Sequence, residues 1–199
     1  SGPQPKVYGA TRDLFFKGQL LAKRTPIGTV ATLEGATPET LRGFHDRWYR
    51  PDKAIVVISG DGAPEKFAAL IPKHFSGWKP KSPAVPDPDF GKPDPAAPTT
   101  LIVSEPGVPL AMMMSIFRPW EVKADTIAYN QGKLIDIVAT NIINRRLERR
   151  ARAGGSFLLA QVERDDVSRT ANQTQVTIQP LGNDWQKALT DVRAVIADA

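Results

Sequence analysis

The chain has 199 residues, of which 41% are apolar, so it is long enough for one large domain or for parts of two and can bury a core. Its formal charge of +5 arises from 26 basic and 21 acidic side chains, a mixture that by itself does not indicate a nucleic-acid-binding surface. The absence of cysteine excludes disulfides, thiolate metal sites and cysteine nucleophiles, and no apolar run approaches the roughly 20 residues of a membrane span.

The first part of the chain predicts two helices. Apolar residues recur at helical spacing over residues 11–23, and Pro26 ends the pattern. Thr37 and Pro38 then open a second helix. A threonine hydroxyl can accept a hydrogen bond from an exposed N–H of the first turn, and a proline at the first helical position loses no hydrogen bond.

A strand and a third helix are predicted next. The run from Ile55 to Ile58 is short and β-branched, which favours a buried strand over a helix. Residues 61–64 repeat the capping pattern before a helix that Pro72 should kink or shorten. The predicted buried stripe of this helix consists of Phe67, Leu70, Ile71 and Phe75.

The composition changes between Lys79 and Pro98, where seven prolines occur. Such a segment predicts an extended linker with polyproline character. The chain is therefore predicted to consist of a first domain over residues 1–78, a linker over 79–99 and a second domain over 100–199.

The second domain predicts an alternation of strands and helices. Strands are expected at residues 100–104, 110–117, 157–163 and 170–179, and helices at 124–152 and 184–197. This order, β-β-α-β-β-α, predicts an α+β fold in which helices pack on one face of an antiparallel sheet. The long helix is expected to end at Gly154 and Gly155. Its predicted sheet-facing side consists of Leu134, Ile135, Val138, Ile142 and Leu147.

The two histidines, His45 and His74, do not predict a metal site. They lie on different predicted helices, and neither has a second ligand three or four residues away. The acidic residues Glu163, Asp165 and Asp166 could hold a hard cation, but they lack the spacing and central glycine of a calcium loop, so a strand-end turn is favoured.

The end of the long helix carries five arginines: Arg145, Arg146, Arg149, Arg150 and Arg152. One interpretation is a helix that contacts phosphates. The favoured one is a solvated helix end whose cations complement the negative end of the helix dipole, because no nucleic-acid motif accompanies the run.

Other candidate motifs also favour structural roles. Met112, Met113 and Met114 fit core packing in a strand better than a soft-metal site. The serines lack the elbow motif of serine hydrolases, and the sequence from Gly60 to Gly62 lacks the lysine of a phosphate loop.

Residues 25–78 resemble the rear of the catalytic-type domain of the insulinase/pitrilysin family of zinc metallopeptidases, which includes the mitochondrial processing peptidases. The resemblance rests on the segment from Phe44 to Asp52, on the strand-like Ala54 to Asp61 and on the ending from His74 to Trp78. The arginine-rich helix end, followed by a glycine turn and an aromatic residue, is similar to a helix-to-strand junction of the same family. The zinc-binding helix of that family, with its inverted His-x-x-Glu-His order, does not occur in these residues.

The resemblance implies that residues 1–78 are the C-terminal part of a catalytic-type domain and that residues 100–199 belong to a second, non-catalytic domain. The parent would be a zinc endopeptidase for peptides or unfolded proteins, with its zinc ligands on residues before Ser1. This chain would bind no zinc and would be inactive alone. It would contribute chamber wall and substrate binding, with strand edges near Ser104 and Thr170 as expected contacts.

The expected partners are the remainder of the parent chain or a homologous zinc-bearing subunit, together with the peptide substrate. The resemblance and the lack of cysteine favour the bacterial envelope, including the periplasm, with the cytoplasm as the alternative. Two other functions stay open. One is a non-catalytic subunit or assembly scaffold of the same fold, and the other is a nucleic-acid-binding protein that uses Arg145 and Arg149.

Overall fold

The computed structural model describes residues 2–94 and 98–198, and the chain separates into two compact units. Unit 1 comprises Ser1–Arg24 and Asp89–Ala199, and unit 2 comprises Thr25–Pro88. The helices are α1 (Pro3–Phe15), α2 (Leu20–Lys23), α3 (Val30–Glu34), α4 (Pro38–Trp48), α5 (Pro64–Phe75), α6 (Ile127–Arg152) and α7 (Trp185–Ala197). The strands are β1 (Met112–Pro119), β2 (Phe157–Val167) and β3 (Ala171–Pro180).

The strands of unit 1 form an antiparallel sheet in the order β1-β3-β2. The register pairs Met114 with Val176 and Val176 with Val162 across the sheet. Helices α6 and α7 pack on the face that carries Ile178. The predicted α+β class, with helices on one face of an antiparallel sheet, is confirmed.

The core of unit 1 lies between this face and the two helices. Its fully buried members include Leu147 of α6, Ile178 of β3 and Val192 of α7. Each comes from a different element, so the core exists only when the long helix, the central strand and the last helix are assembled. Aliphatic side chains of this size contribute roughly 1.5–3 kcal/mol each when fully buried.

The ends of α6 and α7 lie within three residues of the ends predicted from the sequence. Thr126 caps α6 by accepting a hydrogen bond from the Tyr129 N–H at 3.2 Å, and Asp184 caps α7 through the Lys187 N–H at 3.0 Å. Gly154 adopts a φ of 82° immediately after α6, a left-handed conformation that favours glycine. The cap explains why α6 begins at Ile127 instead of residue 124.

Two predictions for unit 1 are wrong in detail. The helix expected over residues 11–23 is broken between Phe16 and Gln19, because Gly18 has a φ of 81° and reverses the chain. The strand expected at residues 100–104 is absent, since this segment has no regular structure and Ile102 is 89% exposed. Strand β1 is present, shifted by two residues from the predicted 110–117.

Unit 2 is built around α4 and α5. Thr37 caps α4 by accepting the Thr40 N–H at 3.2 Å, as predicted. Helix α5 has Ala63 as its N-cap without a side-chain hydrogen bond, so the predicted capping from residue 61 is wrong. It continues past Pro72 to its end, and its predicted stripe is not buried.

The strand predicted from Ile55 to Ile58 is also absent from unit 2. The segment leads out of a short 3-10 helix, Pro51–Lys53, and Ile55 and Val57 are 90% and 84% exposed. The structure describes all of residues 25–88, and none of them forms backbone hydrogen bonds with a strand. No apolar side chain of these residues is buried. A strand requires a neighbouring strand to receive its backbone hydrogen bonds, and this one has none.

The compact units differ from the predicted domains, whose limits rest on the proline-rich segment and on the family resemblance. The predicted limits at residues 78 and 100 therefore stay predictions. Within residues 2–94 and 98–198, no helix combines the length and the hydrophobicity that crossing a membrane would require.

Candidate functional site

The sheet face opposite α6 and α7 is polar and carries a row of linked side chains. Gln173 donates through Nε2 to Ser115 Oγ at 3.0 Å and to Gln175 Oε1 at 2.8 Å. Gln175 in turn donates to Thr177 Oγ1 at 3.1 Å. These bonds fix the amides in an ordered row along β3, where their remaining donors and acceptors could contact a polypeptide.

The carboxylates of the predicted acidic cluster are divided between the two faces of the sheet. Glu163 and Asp165 pair with Gln175 and Gln173 and therefore lie on the polar face. Asp166 is on the other face, where it accepts hydrogen bonds from Trp120 Nε1 at 2.6 Å and from a backbone N–H of the β2–β3 turn at 2.8 Å. This arrangement agrees with the favoured turn interpretation over a cation site.

The outer edge of β2 is closed by a side chain of α6. Asn144 donates through Nδ2 to the Val162 carbonyl at 2.9 Å and accepts the Val162 N–H through Oδ1 at 2.7 Å. In an antiparallel ladder both backbone groups of a residue point to the same side, so these groups lie on the side away from β3. The amide of Asn144 therefore takes the place of a neighbouring strand at the centre of this edge.

The outer edge of β1 has no comparable cover. The backbone N–H and carbonyl of Val162 point away from β3, so its partner on β3, Val176, forms no backbone hydrogen bonds with it. The N–H and carbonyl of Val176 therefore point towards β1, where they pair with Met114. The alternation then places the backbone groups of Met113, Ser115 and Phe117 on the outer edge. Among the described residues, these groups have no hydrogen-bond partner. Asn144 thus occupies the outward backbone groups of one residue of β2, whereas no described residue bonds the outward groups of β1.

Replacing Asn144 by alanine is expected to lower the free energy of unfolding of unit 1 by about 1–2 kcal/mol, because two hydrogen bonds to Val162 are lost. The Val162 amide should also exchange its hydrogen faster. Urea titration with amide hydrogen exchange measures both effects. The matched control is Asn141→Ala on the exposed side of the same helix. Equal effects of the two substitutions would show that Asn144 does not hold the edge.

The histidines do not form a metal site within residues 2–94 and 98–198, where no cluster of three or more potential ligands occurs. The His45 ring stacks on Tyr49 with centroids 4.9 Å apart, and its Nδ1 lies 3.1 Å from Asp46 Oδ1. His74 lies in the last turn of α5. Both positions are those of surface residues near helix ends.

Three arginines of the α6 end bind other elements of unit 1 or their own helix. Arg146 donates to the Asp198 carbonyl at 2.6 Å, Arg150 to Asp191 at 2.6 Å, and Arg152 pairs with Glu148. These contacts support the interpretation as a helix end, whereas Arg145 and Arg149 have no hydrogen-bond or ion-pair partner among the described residues.

The strand edges predicted near Ser104 and Thr170 are not edges. Ser104 lies in an irregular segment, and Thr170 is 4% exposed in the turn between β2 and β3. Sequence reasoning also missed Asn144 and the row of glutamines on β3. The alternation of Gln173, Gln175 and Thr177 was the available signal for a polar sheet face.

Comparison with known proteins identifies relatives among zinc proteases. Residues 35–129 match the family model of the peptidase M16 inactive domain. The probable zinc protease PqqL of Haemophilus influenzae is 22% identical over 197 residues, covering 98% of this chain and 21% of that protein. The zinc protease PqqE of Helicobacter pylori is 33% identical over 87 residues, covering 43% of this chain and 20% of that protein.

The fold is also that of a solved protease. The periplasmic protease PqqL from Escherichia coli superimposes with a TM-score of 0.71 at 19% identity, covering 96% of this chain and 21% of that one. The chain thus spans about a fifth of the length of the two PqqL proteins. The chain is thus similar to the PqqL and PqqE zinc proteases, and its residues 35–129 match the inactive domain of peptidase family M16, in agreement with the insulinase/pitrilysin resemblance of its sequence.

Proposed function

We propose that these 199 residues are a non-catalytic part of a zinc-dependent endopeptidase that acts on peptides or unfolded proteins. Their role is to form part of the wall of the proteolytic chamber and to contact the substrate. The zinc and the glutamate that activates the attacking water would be supplied by the remainder of the parent chain or by a homologous subunit. The chain has only two histidines and no His-x-x-Glu-His order.

The observation that carries this proposal is the large accessible surface of the chain for its mass. The chain exposes 15307 Å² of accessible surface. Two separate compact bodies with the masses of units 1 and 2 would together expose about 11,000 Å². A chain with this excess needs further polypeptide to complete its packing, as a part of a larger protease would.

Uncovered apolar side chains occur in both units, and two segments of very different structure contain several of them. One is the β-branched run from Ile55 to Ile58 in unit 2, and the other is the first half of α6 in unit 1, where Leu134 and Ile135 are 60% and 69% exposed. Exposed apolar groups at this density are typical of surfaces that another part of a protein covers.

The polar sheet face supports the substrate-contact part of the proposal. It presents the amide groups of Gln173 and Gln175 and the hydroxyl of Ser115, with which an extended polypeptide could exchange hydrogen bonds. A bacterial envelope location is proposed because the similar PqqL of Escherichia coli is a periplasmic protease.

The isolated chain is expected to bind no stoichiometric zinc and to leave an unfolded casein substrate intact. The longer gene product that contains it is expected to bind zinc and to cleave the same substrate, with loss of activity on chelation. Metal analysis and a fluorescent casein assay measure both. Zinc binding together with chelator-sensitive cleavage by the isolated chain would contradict the proposal.

The exposed apolar surface also favours a second candidate, a non-catalytic subunit or assembly scaffold of the same fold. The coding sequence before Ser1 separates the two. A His-x-x-Glu-His helix there supports the protease part, and its absence from the whole gene supports the subunit.

A further inference from the structure

We propose that the outward side of α6 is a docking surface for an acidic amphipathic helix of another protein. This inference goes beyond the proposed protease role, since neither zinc nor cleavage enters it. The surface, here termed the α6 furrow, consists of Val138, Ile142, Arg145 and Arg149 of α6 together with Leu158 of β2.

Three sides of α6 are occupied by other parts of unit 1. Leu147 lies in the core against the sheet, Arg150 bonds α7, and Asn144 bonds the outer edge of β2. At 3.6 residues per turn, the four furrow residues of α6 fall on the remaining side of the helix. The side that carries the furrow therefore points away from the core of unit 1.

A continuous groove runs between this side of the helix and the beginning of β2. Two cavities of about 500 and 480 Å³ share Asn144 and Glu148 in their walls, so they form one groove. Val138 and Ile142 line one cavity and Leu158 lines the other, and these side chains are 49%, 46% and 58% exposed. Half-exposed apolar side chains along a groove provide contact area for a partner.

The charges of the furrow indicate the chemistry of the partner. Arg145 and Arg149 are exposed, lie one helical turn apart, and have no hydrogen-bond or ion-pair partner among the described residues. The neighbouring Glu148 is already paired with Arg152. Two cations about 6 Å apart along a helix favour a partner with two carboxylates at the same spacing, which an α-helix presents at positions i and i+4.

The order of apolar and charged residues determines how such a helix lies. The apolar residues of the furrow come first along α6 and the arginines come last. An antiparallel helix with its carboxylates in the N-terminal half matches this order and places negative charge at the positive end of its own dipole. Val138 to Arg149 spans about 17 Å, the length of a helix of roughly 12 residues.

The composition of the furrow favours a separate protein over the remainder of the parent chain. Permanent interfaces resemble a domain core and are strongly apolar, whereas transient ones combine apolar contacts with charges. The first half of α6 contains no arginine and exposes Leu134 and Ile135, which fits a permanent cover. The furrow has two unpaired arginines beside half-exposed aliphatic side chains, which fits a transient partner.

The test uses a labelled, stapled helical peptide of about 14 residues. Its first half carries two glutamates one turn apart, and its second half carries two leucines one turn apart, on a background of alanine and glutamine. Fluorescence anisotropy is expected to show saturable binding to the 199-residue chain. The methyl signals of Val138, Ile142 and Leu158 in NMR spectra should shift on binding, whereas those of the fully buried Val192 should not.

A second peptide, with glutamine at both glutamate positions, is the matched control because glutamine and glutamate have similar helix propensities. It should bind roughly fivefold more weakly, since two exposed ion pairs are lost. Ile142→Thr should weaken binding of both peptides by about the same factor, because it removes an apolar contact.

Substitution of the two arginines tests the charge pairing. Arg145→Gln combined with Arg149→Gln should weaken binding of the glutamate peptide roughly fivefold and leave binding of the glutamine peptide unchanged, because both changes remove the same ion pairs. Arg193→Gln, at an exposed arginine of α7, should alter the binding of neither peptide.

The longer gene product that contains this chain, with its zinc removed to prevent cleavage, is expected to bind the glutamate peptide as tightly as the chain does. Loss of binding there would show that the parent chain covers the furrow itself and would overturn the proposal. Equal binding of the two peptides, or no binding, would also overturn it. A shift of the furrow methyl signals with rising protein concentration and no peptide would assign the furrow to a second copy instead.

Discussion

Replacing Leu147 by alanine is expected to lower the free energy of unfolding of unit 1 by about 3 kcal/mol. Leu147 has no exposed surface and packs among core residues of the sheet and α7, so the change removes buried methyl groups and leaves a cavity. Hydrogen exchange of the core amides at Val176 and Ile178, followed with increasing urea, measures this loss for the sheet itself.

The matched control is Leu134→Ala on the same helix. Leu134 is 60% exposed, so this substitution should change stability by no more than about 0.5 kcal/mol. A loss at Leu134 as large as that at Leu147 would show that the first half of α6 is covered in solution. Self-association of the chain would then be the first explanation to test.

This pair of residues also shows where sequence reasoning reaches its limit. Both were assigned to one sheet-facing side of α6, whose C-terminal end was predicted correctly because the glycines after Arg152 are a local signal. Thirteen residues of α-helix, however, place the two side chains roughly 140° apart around the axis. Leu147 faces the sheet and is buried in the core, whereas Leu134 lies outside the core and is 60% exposed.

The strands follow the same rule. β2 and β3 were predictable because their alternating pattern is supported by a hairpin turn, and they pair with each other in the structure. The run from Ile55 to Ile58 has a stronger β-branched composition and forms no strand, because its hydrogen bonds require a neighbouring strand that these residues do not supply. Strand propensity is thus realised only where a partner exists.

The candidate site was the least predictable part. An asparagine within a helix gives no local sign that it will bind the backbone of a strand 18 residues later, and the open edge of β1 is defined only by the strand order. The polar face of β3 was accessible from its alternation of glutamine and threonine with apolar residues. What could not be predicted were relations between elements distant in sequence.

Replacing Asp191 by alanine is expected to destabilise unit 1 by about 2 kcal/mol, because its carboxylate joins α7 to the end of α6 and the start of β2. Asp191 accepts hydrogen bonds from the Ser156 N–H and hydroxyl, both at 3.0 Å, and from Arg150 Nε at 2.6 Å. Its side chain is 12% exposed, so water replaces these bonds poorly. Urea unfolding at neutral pH measures the loss.

The same carboxylate should make unit 1 sensitive to acid. Burial alone would raise the pKa of Asp191, but the hydrogen bonds from Arg150 and Ser156 and the charge of Arg150 outweigh it and hold the pKa below its usual value. A lowered pKa in the folded state stabilises the fold above the unfolded value of about 3.9, and this stabilisation is lost as the pH falls through the folded pKa. Asp191→Asn should therefore flatten the fall in stability below about pH 4. An equally steep fall in Asp191→Asn would place the acid sensitivity of unit 1 in other carboxylates.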